Sequence, residues 1–244
     1  MTARRILRLT GNDTEDFLQG LITNDIKRAS EGLLYAAILT PQGKFLADFF
    51  VTQDGDGFLM DISETLADGL IKRLTMYKLR ADVQIADSGL SLQRGTGPAP
   101  DGGLTDPRHP DMGWRAYTHA AARDDGTDWD AIRITHCIPE TNIELTPDSY
   151  ILENQFEALN GVDFRKGCYV GQEVTARMKH KTELRKGLRR VALEGSAPVG
   201  TDITANGKTI GALFTQAGGY GLAYLRFDRV QDEMQAGDAI VRPL

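Results

Sequence analysis

Cysteine is scarce in this 244-residue chain: there are two, Cys137 and Cys168, with no CxxC and no Cys/His cluster. That excludes a disulfide-stapled secreted scaffold, and two thiols cannot by themselves fill a four-cysteine zinc or iron–sulfur site. Long apolar runs are also missing. None approaches the roughly 20 residues needed to span a bilayer, and the N-terminal Met1-Thr2-Ala3-Arg4-Arg5-Ile6-Leu7 lacks the apolar core of a signal peptide. The expectation is a cytoplasmic protein with no membrane partner. Nor is there a surplus of positive charge. Lys and Arg number 28 against 34 Asp and Glu, a net charge of −6 and a pI near 5.3, which speaks against bulk nucleic-acid binding. Lys179, Lys181, Arg185, Lys186, Arg189 and Arg190 form a local basic stretch, read as a solvated face rather than a groove. Fixed-period repeats and low-complexity segments are absent too. The length and the 41% hydrophobic content fit one composite domain or two to three small ones.

Special chemistry is densest in Lys166-Gly167-Cys168-Tyr169-Val170-Gly171-Gln172-Glu173, ahead of a predicted helix over 174–181. A thiol just before a helix N-terminus and beside a lysine is placed to favour its thiolate. The glycines permit positive φ and close approach by a partner. The plainer reading is a helix-capping loop in which Cys168 is a small buried hydrophobe. A cysteine–histidine hydrolase is excluded by reach, since His180 lies twelve residues on, about 18 Å along a helix.

Along the chain, residues 6–9, 33–39, 44–51 and 58–62 read as strands, with a hairpin turn at Pro41-Gln42-Gly43. Short helices are expected from Asn12 or Asp13 and from Ser63, the second carrying Leu66, Leu70, Ile71, Leu74 and Tyr77 on one face. Strands are expected over 83–86, 89–94 and 113–117, and helices over 131–137 and 150–160, the latter stopped at Gly161. From Lys186 the pattern changes to short strands over 188–193, 209–214 and 221–225, with a type I′ signal at Asn206-Gly207. That portion reads as a small β-barrel.

Alternation in the first hairpin puts Phe45, Ala47 and Phe49 on one face, and Leu46, Asp48 and Phe50 on the other. Asp48 is then a carboxylate among apolar neighbours, either an anchor for a ligand or an edge residue facing water. Arg80 and Asp82 close the second helix, either as a surface ion pair or with Arg80 gripping a carboxylate. Glu153 and Glu157, one helical turn apart, invite an acid–base reading but are more often a solvated face.

Taken in order, Leu39-Thr40-Pro41-Gln42-Gly43 with Asp48, Leu79-Arg80-Ala81-Asp82-Val83, Asp106-Pro107-Arg108 with Gly113-Trp114-Arg115, Ile138-Pro139-Glu140, Leu152-Glu153, the segment 166–173 and Arg177 resemble the YgfZ-type folate-binding proteins. These are relatives of the glycine-cleavage T-protein and include the mitochondrial iron–sulfur assembly factor. The resemblance spans essentially the whole chain. It implies an α+β fold arranged as a T-protein-like ring: an α+β unit, a ferredoxin-like unit and a C-terminal β-barrel. Residues 1–184 would form a folate-binding region of two intertwined subdomains with a flexible loop at 95–105, and residues 185–244 the barrel. It implies tetrahydrofolate or a derivative in a central cavity, and a role in assembling, maintaining or repairing iron–sulfur enzymes, including radical enzymes that modify tRNA. Partners would be iron–sulfur scaffold or carrier proteins or client enzymes, with no direct nucleic-acid contact.

By matched positions the resemblance assigns activity to Lys166, Cys168, Tyr169, Gln172 and Glu173. No resident metal is implied, with Cys168 able to share a transient cluster with a partner. Asp48, Tyr77, Arg80 and Glu153 are the residue types that a folate's pterin and glutamate tail require. The family's usual Gly-Ile-Pro-Glu reads Cys137-Ile138-Pro139-Glu140 here, making Cys137 a packing substitute. The competing reading is an aminomethyl or one-carbon transferase of the T-protein type, which would depend on Asp48 and not on Cys168.

Overall fold

The computed structural model describes residues 3–121, 125–181 and 183–244, divided into two compact units: 1–127 with 157–174, and 128–156 with 175–244. No described helix is long and apolar enough to cross a membrane. The first unit is organised on a five-stranded sheet of β1 (Arg4–Thr10), β2 (Leu34–Leu39), β3 (Phe45–Asp54), β4 (Gly57–Ser63) and β5 (Gln84–Asp87), in the order β2-β3-β4-β1-β5. Every pairing in it is antiparallel.

Alternation sorts the strands onto two faces, both covered. Leu7, Leu9, Ala36, Ile38, Ala47, Phe49, Val51, Met60 and Ile62 form one apolar face with α1 (Thr14–Gln19) and α2 (Glu64–Lys78), whose Ala67, Leu70 and Leu74 are buried there. The opposite face carries Arg4, Ile6, Tyr35, Asp48, Phe50, Leu59 and Asp61, so Asp48 and Phe50 do share a face. A three-stranded sheet of β6 (Ser91–Gly95), β7 (Leu104–Thr105) and β8 (Trp114–Thr118), order β6-β8-β7, supplies Leu92 and Tyr117 to the apolar part of this face.

The rest of that face is a buried chain of charges. Asp61 accepts from Arg4 Nε at 2.6 Å and from Arg115 Nη1 at 2.8 Å; Asp106 accepts from Arg115 Nε at 3.0 Å and from Arg108 Nη2 at 2.8 Å. The Arg108 and Arg115 guanidiniums lie 4.8 and 3.8 Å from the centre of the Phe50 ring, so planar cations cover an aromatic face. This is the structural use of Asp106-Pro107-Arg108 and of Arg115.

In the second unit, β9 (Lys186–Glu194), β10 (Thr201–Ala205), β11 (Lys208–Ala217), β12 (Tyr220–Arg226), β13 (Met234–Ala236) and β14 (Ala239–Pro243) close a six-stranded barrel, in the order β10-β11-β12-β9-β14-β13. Asn206 and Gly207 both have positive φ (51° and 71°), as a type I′ turn requires. Val191, Ile203, Ile210, Leu213, Leu225 and Val241 fill its interior.

Helix α3 (Trp129–His136) ends at Cys137, whose φ of 56° is the left-handed C-terminal position that favours glycine. Its side chain packs against Ile134, Leu188 and Leu222, and burial pushes the thiol's pKa up to about 11. Cys137 thus packs as expected where the related pattern has Gly. Below it, Glu144 accepts from Arg133 Nη2 and Thr215 Oγ1, each at 2.5 Å, and from Glu140 N at 2.8 Å. This buried carboxylate pins the Ile138-Pro139-Glu140 turn to the barrel strand β11.

One element differs from its expectation. Residues 150–160 are not an α-helix: a single 3-10 turn, Ile151–Asn154, ends at Gln155, which has φ of 65°. The spacing of Ile151, Leu152, Phe156 and Leu159 mimics a helix. The Gln155 side chain, however, donates to Leu188 O at 3.0 Å, and that bond goes with the left-handed backbone that stops the helix. The chain's final turn there also uses Asn160 at φ 55° rather than Gly161.

Candidate functional site

The segment 161–171 is laid along residues 19–23 of the first unit by a ladder of hydrogen bonds. Thr23 Oγ1 donates to Gly161 O at 2.7 Å, Asp163 N to Thr23 O at 3.0 Å, and Val170 N to Gly20 O at 3.3 Å. Lys166 sits at the centre. Its ammonium donates to Gln19 O at 2.7 Å and Ile22 O at 2.6 Å, where α1 ends and carbonyls lack helical partners, and it lies 5.1 Å from the Tyr169 ring centre. Burial lowers its pKa to about 8, opposed by Asp25 and Asp163. The lysine is therefore committed to the backbone, and its work is to fasten the loop.

Helix α4 (Gln172–Lys181) begins two residues earlier than the 174–181 pattern suggests. Gly171 precedes it with φ of 85°, so close to the β2–β3 turn that an added Cβ would lie 2.6 Å from Thr40 O and 2.9 Å from Leu39 Cβ. Gly43, from the turn itself, has no room for a Cβ against Val174, at 2.8 Å. The two glycine-containing motifs thus meet backbone to backbone. Tyr169 is buried, whereas Cys168 is an exposed free thiol and Glu173 is exposed on the first turn of α4. The capping-loop reading holds for the glycines, but Cys168 is not a buried hydrophobe.

Gly171→Ala is expected to lower stability by about 2 kcal/mol, since it adds an overpacked methyl to a left-handed backbone. Limited proteolysis should then cut within 161–170 before the rest of the chain opens. A melting temperature equal to wild type would show that the loop gives way without cost.

Asp48 is 5% exposed and accepts from Tyr35 Oη at 2.9 Å, inside the covered face of the sheet. Tyr77 and Arg80 lie elsewhere. Asp48 neighbours Phe49, which pairs through Ile62 with Arg5 at the start of β1, whereas the chain after Arg80 enters β5 where Gln84 pairs with Thr10. Five residues of strand, about 17 Å, separate those levels. Tyr77 accepts from Arg73 Nη1 at 3.2 Å, and Arg80 is exposed. The Arg80–Asp82 ion pair is not formed: the Asp82 carboxylate accepts instead from Gln84 Nε2 at 2.7 Å and from Asn12 N and Nδ2 at 3.1 Å, bonds that hold it below the usual carboxylate range.

Glu153 belongs to the second unit. It is buried, accepts from Tyr224 Oη at 2.5 Å and stands 3.9 Å from Lys186 Nζ. With Tyr224, Arg185, Lys186, Arg226 and the Thr209–Ala212 edge it lines a cavity of about 570 Å³. Burial and the Glu153 carboxylate both push the Tyr224 phenol well up. Glu157 is exposed, and with Gln155 left-handed the two acids do not follow one another on a helical face. The cavity's other lining groups carried no motif; only the basic run through Arg185 and Lys186 marked its rim. Lys181, another cation of that run, has a side chain outside the described residues.

Residues 185–244 match the family described as the C-terminal beta-barrel domain of CAF17. Over 282 residues the chain is 31% identical to the mitochondrial iron–sulfur cluster assembly factor IBA57 of Mus musculus, a match covering 95% of this chain and 78% of the mouse protein. The human IBA57 is 30% identical over 277 residues with the same coverage. The IBA57 homolog of Mycosarcoma maydis is 34% identical over 218 residues, covering 75% of this chain but 54% of its own, so the chain spans about half of that relative.

The crystal structure of the glycine cleavage system aminomethyltransferase T from Bartonella henselae matches with a TM-score of 0.73 at 12% identity, covering 98% of this chain and 81% of that one. At that identity the likeness is one of fold, and the expected α+β T-protein architecture with its terminal barrel is present. The relatives named here are IBA57 factors, the mitochondrial branch that the motif resemblance included. One expectation is corrected: these relatives are mitochondrial proteins, which overturns the cytoplasmic assignment. The chain belongs to the IBA57 family of iron–sulfur cluster assembly factors, on an aminomethyltransferase T fold.

Proposed function

We propose that this protein is a folate-dependent accessory factor in the assembly, maintenance or repair of iron–sulfur clusters on partner proteins. Cys168 is the group it presents to them. The observation that carries this reading is the exposed thiol on a loop fastened by Lys166 and by the Gly43–Gly171 contact, in a chain of this family. The cluster is cargo: one thiolate held at a fixed place can complete the ligand set of an iron that a partner already holds. Carriers, scaffolds and client enzymes, radical tRNA-modifying enzymes among them, are the partners this chemistry suits. Tyr169 packs under the loop, while Gln172 and Glu173 open the helix beside it.

For the folate, the donor set around Glu153 fits and that around Asp48 fits less well. A pterin's amino-pyrimidine edge needs a carboxylate acceptor, and its tail needs cations. The 570 Å³ cavity offers Glu153, an apolar wall at Ile210–Ala212, and Arg185, Lys186 and Arg226, a volume within the usual small-molecule range. Asp48 is enclosed and engaged by Tyr35 much as Glu153 is by Tyr224, and the cavity that Glu153 lines is what separates the two. When bound, a reduced folate would supply a redox-active, one-carbon-carrying ring. The aminomethyl-transfer reading is supported by fold alone.

Calorimetry with tetrahydrofolate tests the assignment. Glu153→Gln, which keeps the shape and removes the charge, should weaken binding at least tenfold, about 1.4 kcal/mol, while Asp48→Asn changes it less. The reverse ranking would move the folate to the Asp48 face, and no binding to wild type would remove it from the proposal.

A further inference from the structure

The turn after α2 has no part in the site described above, yet it is built with unusual care around one residue. Lys78, Leu79, Arg80 and Ala81 form a tight turn closed by Ala81 N donating to Lys78 O at 2.7 Å. Leu79 has φ 46° and ψ −103°, close to the first central position of a type II′ turn, which strongly favours glycine. Its side chain is 86% exposed, and Met76, one turn earlier on α2, is 66% exposed. A strained backbone that presents a bare leucine gains nothing in the folded chain alone.

The surroundings hold it there. Lys78 Nζ donates to Val83 O at 2.5 Å, Val83 is fully buried, and Asp82 N donates to Asp13 Oδ2 at 2.7 Å. Gly11, at φ 113°, leaves no space beside Asp82: a Cβ there would lie 2.1 Å from Asp82 O. Strain that the neighbouring structure over-determines is characteristic of binding and switch positions. Residues 69–81 contain Lys72, Arg73, Lys78 and Arg80 and no acid, within a chain of net charge −6. Lys72 and Arg80 are exposed beside the two apolar side chains.

We propose that Leu79, Met76 and Arg80 form a rigid docking knob for a protein partner whose surface offers an apolar recess rimmed by carboxylates. Resting on the function proposed above, that partner is a cluster-dependent client enzyme. Arg80 is a residue type enriched at interface hot spots, and the rigidity of the apolar anchor beside it lowers the entropic cost of binding. A lipid surface fits less well, because the knob offers only the Leu79 and Met76 side chains for insertion, and membrane binding scales with the apolar area buried.

Leu79→Gly and Leu79→Asp separate the alternatives, using the purified full-length chain and a purified apo [4Fe–4S] enzyme from the same organism. Glycine relieves the turn, so Leu79→Gly should melt higher than wild type. Both variants should bind the apo enzyme at least tenfold more weakly by surface plasmon resonance. Equal affinity for all the chains would overturn the knob while leaving the proposed function standing, and absence of binding by wild type would overturn both. Leu79-dependent co-sedimentation with phosphatidylglycerol vesicles, without effect on the enzyme, would replace the protein by a membrane. A lower melting temperature for Leu79→Gly would show that the leucine serves the fold.

Discussion

Asp61→Ala should unfold more easily than any other single change considered for this chain, by about 3–5 kcal/mol in chemical denaturation. The Asp61 side chain is wholly buried and holds two guanidiniums and a phenol at once: Arg4, Arg115 and, at 3.2 Å, Tyr117 Oη. Burial alone would raise its pKa, but Arg4 and Arg115 outweigh that and hold it below the ordinary 3.8. Asp106, buried between Arg108 and Arg115, is held low in the same way. Removing the carboxylate leaves two buried cations with half their partners. Because both acids are depressed in the folded state, their stabilisation is complete above the ordinary carboxylate range and is lost as pH falls below it toward the folded values. Wild type should therefore lose stability steeply below about pH 4, and Asp61→Ala should show a shallower acid slope as well as a lower plateau. A variant within 1 kcal/mol of wild type at pH 7 would mean that water reaches the guanidiniums and the network is not closed.

That network was legible only in part. The first hairpin could be read because Pro41-Gln42-Gly43 marks its turn and residues 44–51 alternate, and Asn206-Gly207 marked the barrel hairpin in the same way. Asp61 left no mark beyond being a carboxylate in a strand, because its partners are 57 and 54 residues away and meet it only once two sheets have stacked. The strands β10, β13 and β14 are runs of three to five residues, which carry too little pattern to be read from sequence. Glu153 stood out through the Leu152-Glu153 motif and as the carboxylate type a pterin requires, whereas its helical pairing with Glu157 is one the backbone does not make. What places it is the left-handed turn at Gln155, secured by a carbonyl 33 positions further on. The loop 166–173 could be recognised by its residue types. That Lys166 serves backbone carbonyls rather than the thiol depends on where α1 ends, which local sequence does not reveal. Leu79 heads one of the family motifs, but its turn was not legible, since that turn type normally announces itself by glycine.

Cys168→Ala should abolish rescue of iron–sulfur enzyme activity in cells that depend on this protein, and should leave the purified chain nearly unchanged. The thiol is exposed, so truncation is expected to shift stability by no more than about 0.5 kcal/mol. Cys168 is not among the groups that line the Glu153 cavity, so tetrahydrofolate affinity should also stay at the wild-type value. Cys168→Ser is the sharper variant. It keeps size and hydrogen bonding but exchanges a soft sulfur for a hard oxygen, so a cluster-ligating role predicts loss with serine as well as with alanine. Cys137 is an internal control, because its burial and a pKa raised to about 11 make it a poor nucleophile near neutral pH. Iodoacetamide should thus label one thiol in the native protein and two after denaturation, and in-cell function should fall with labelling of the first. Full rescue by Cys168→Ala would remove the thiol from the mechanism. Loss of rescue together with a large fall in melting temperature would instead make Cys168 a structural residue, which its exposed position on a fastened loop argues against.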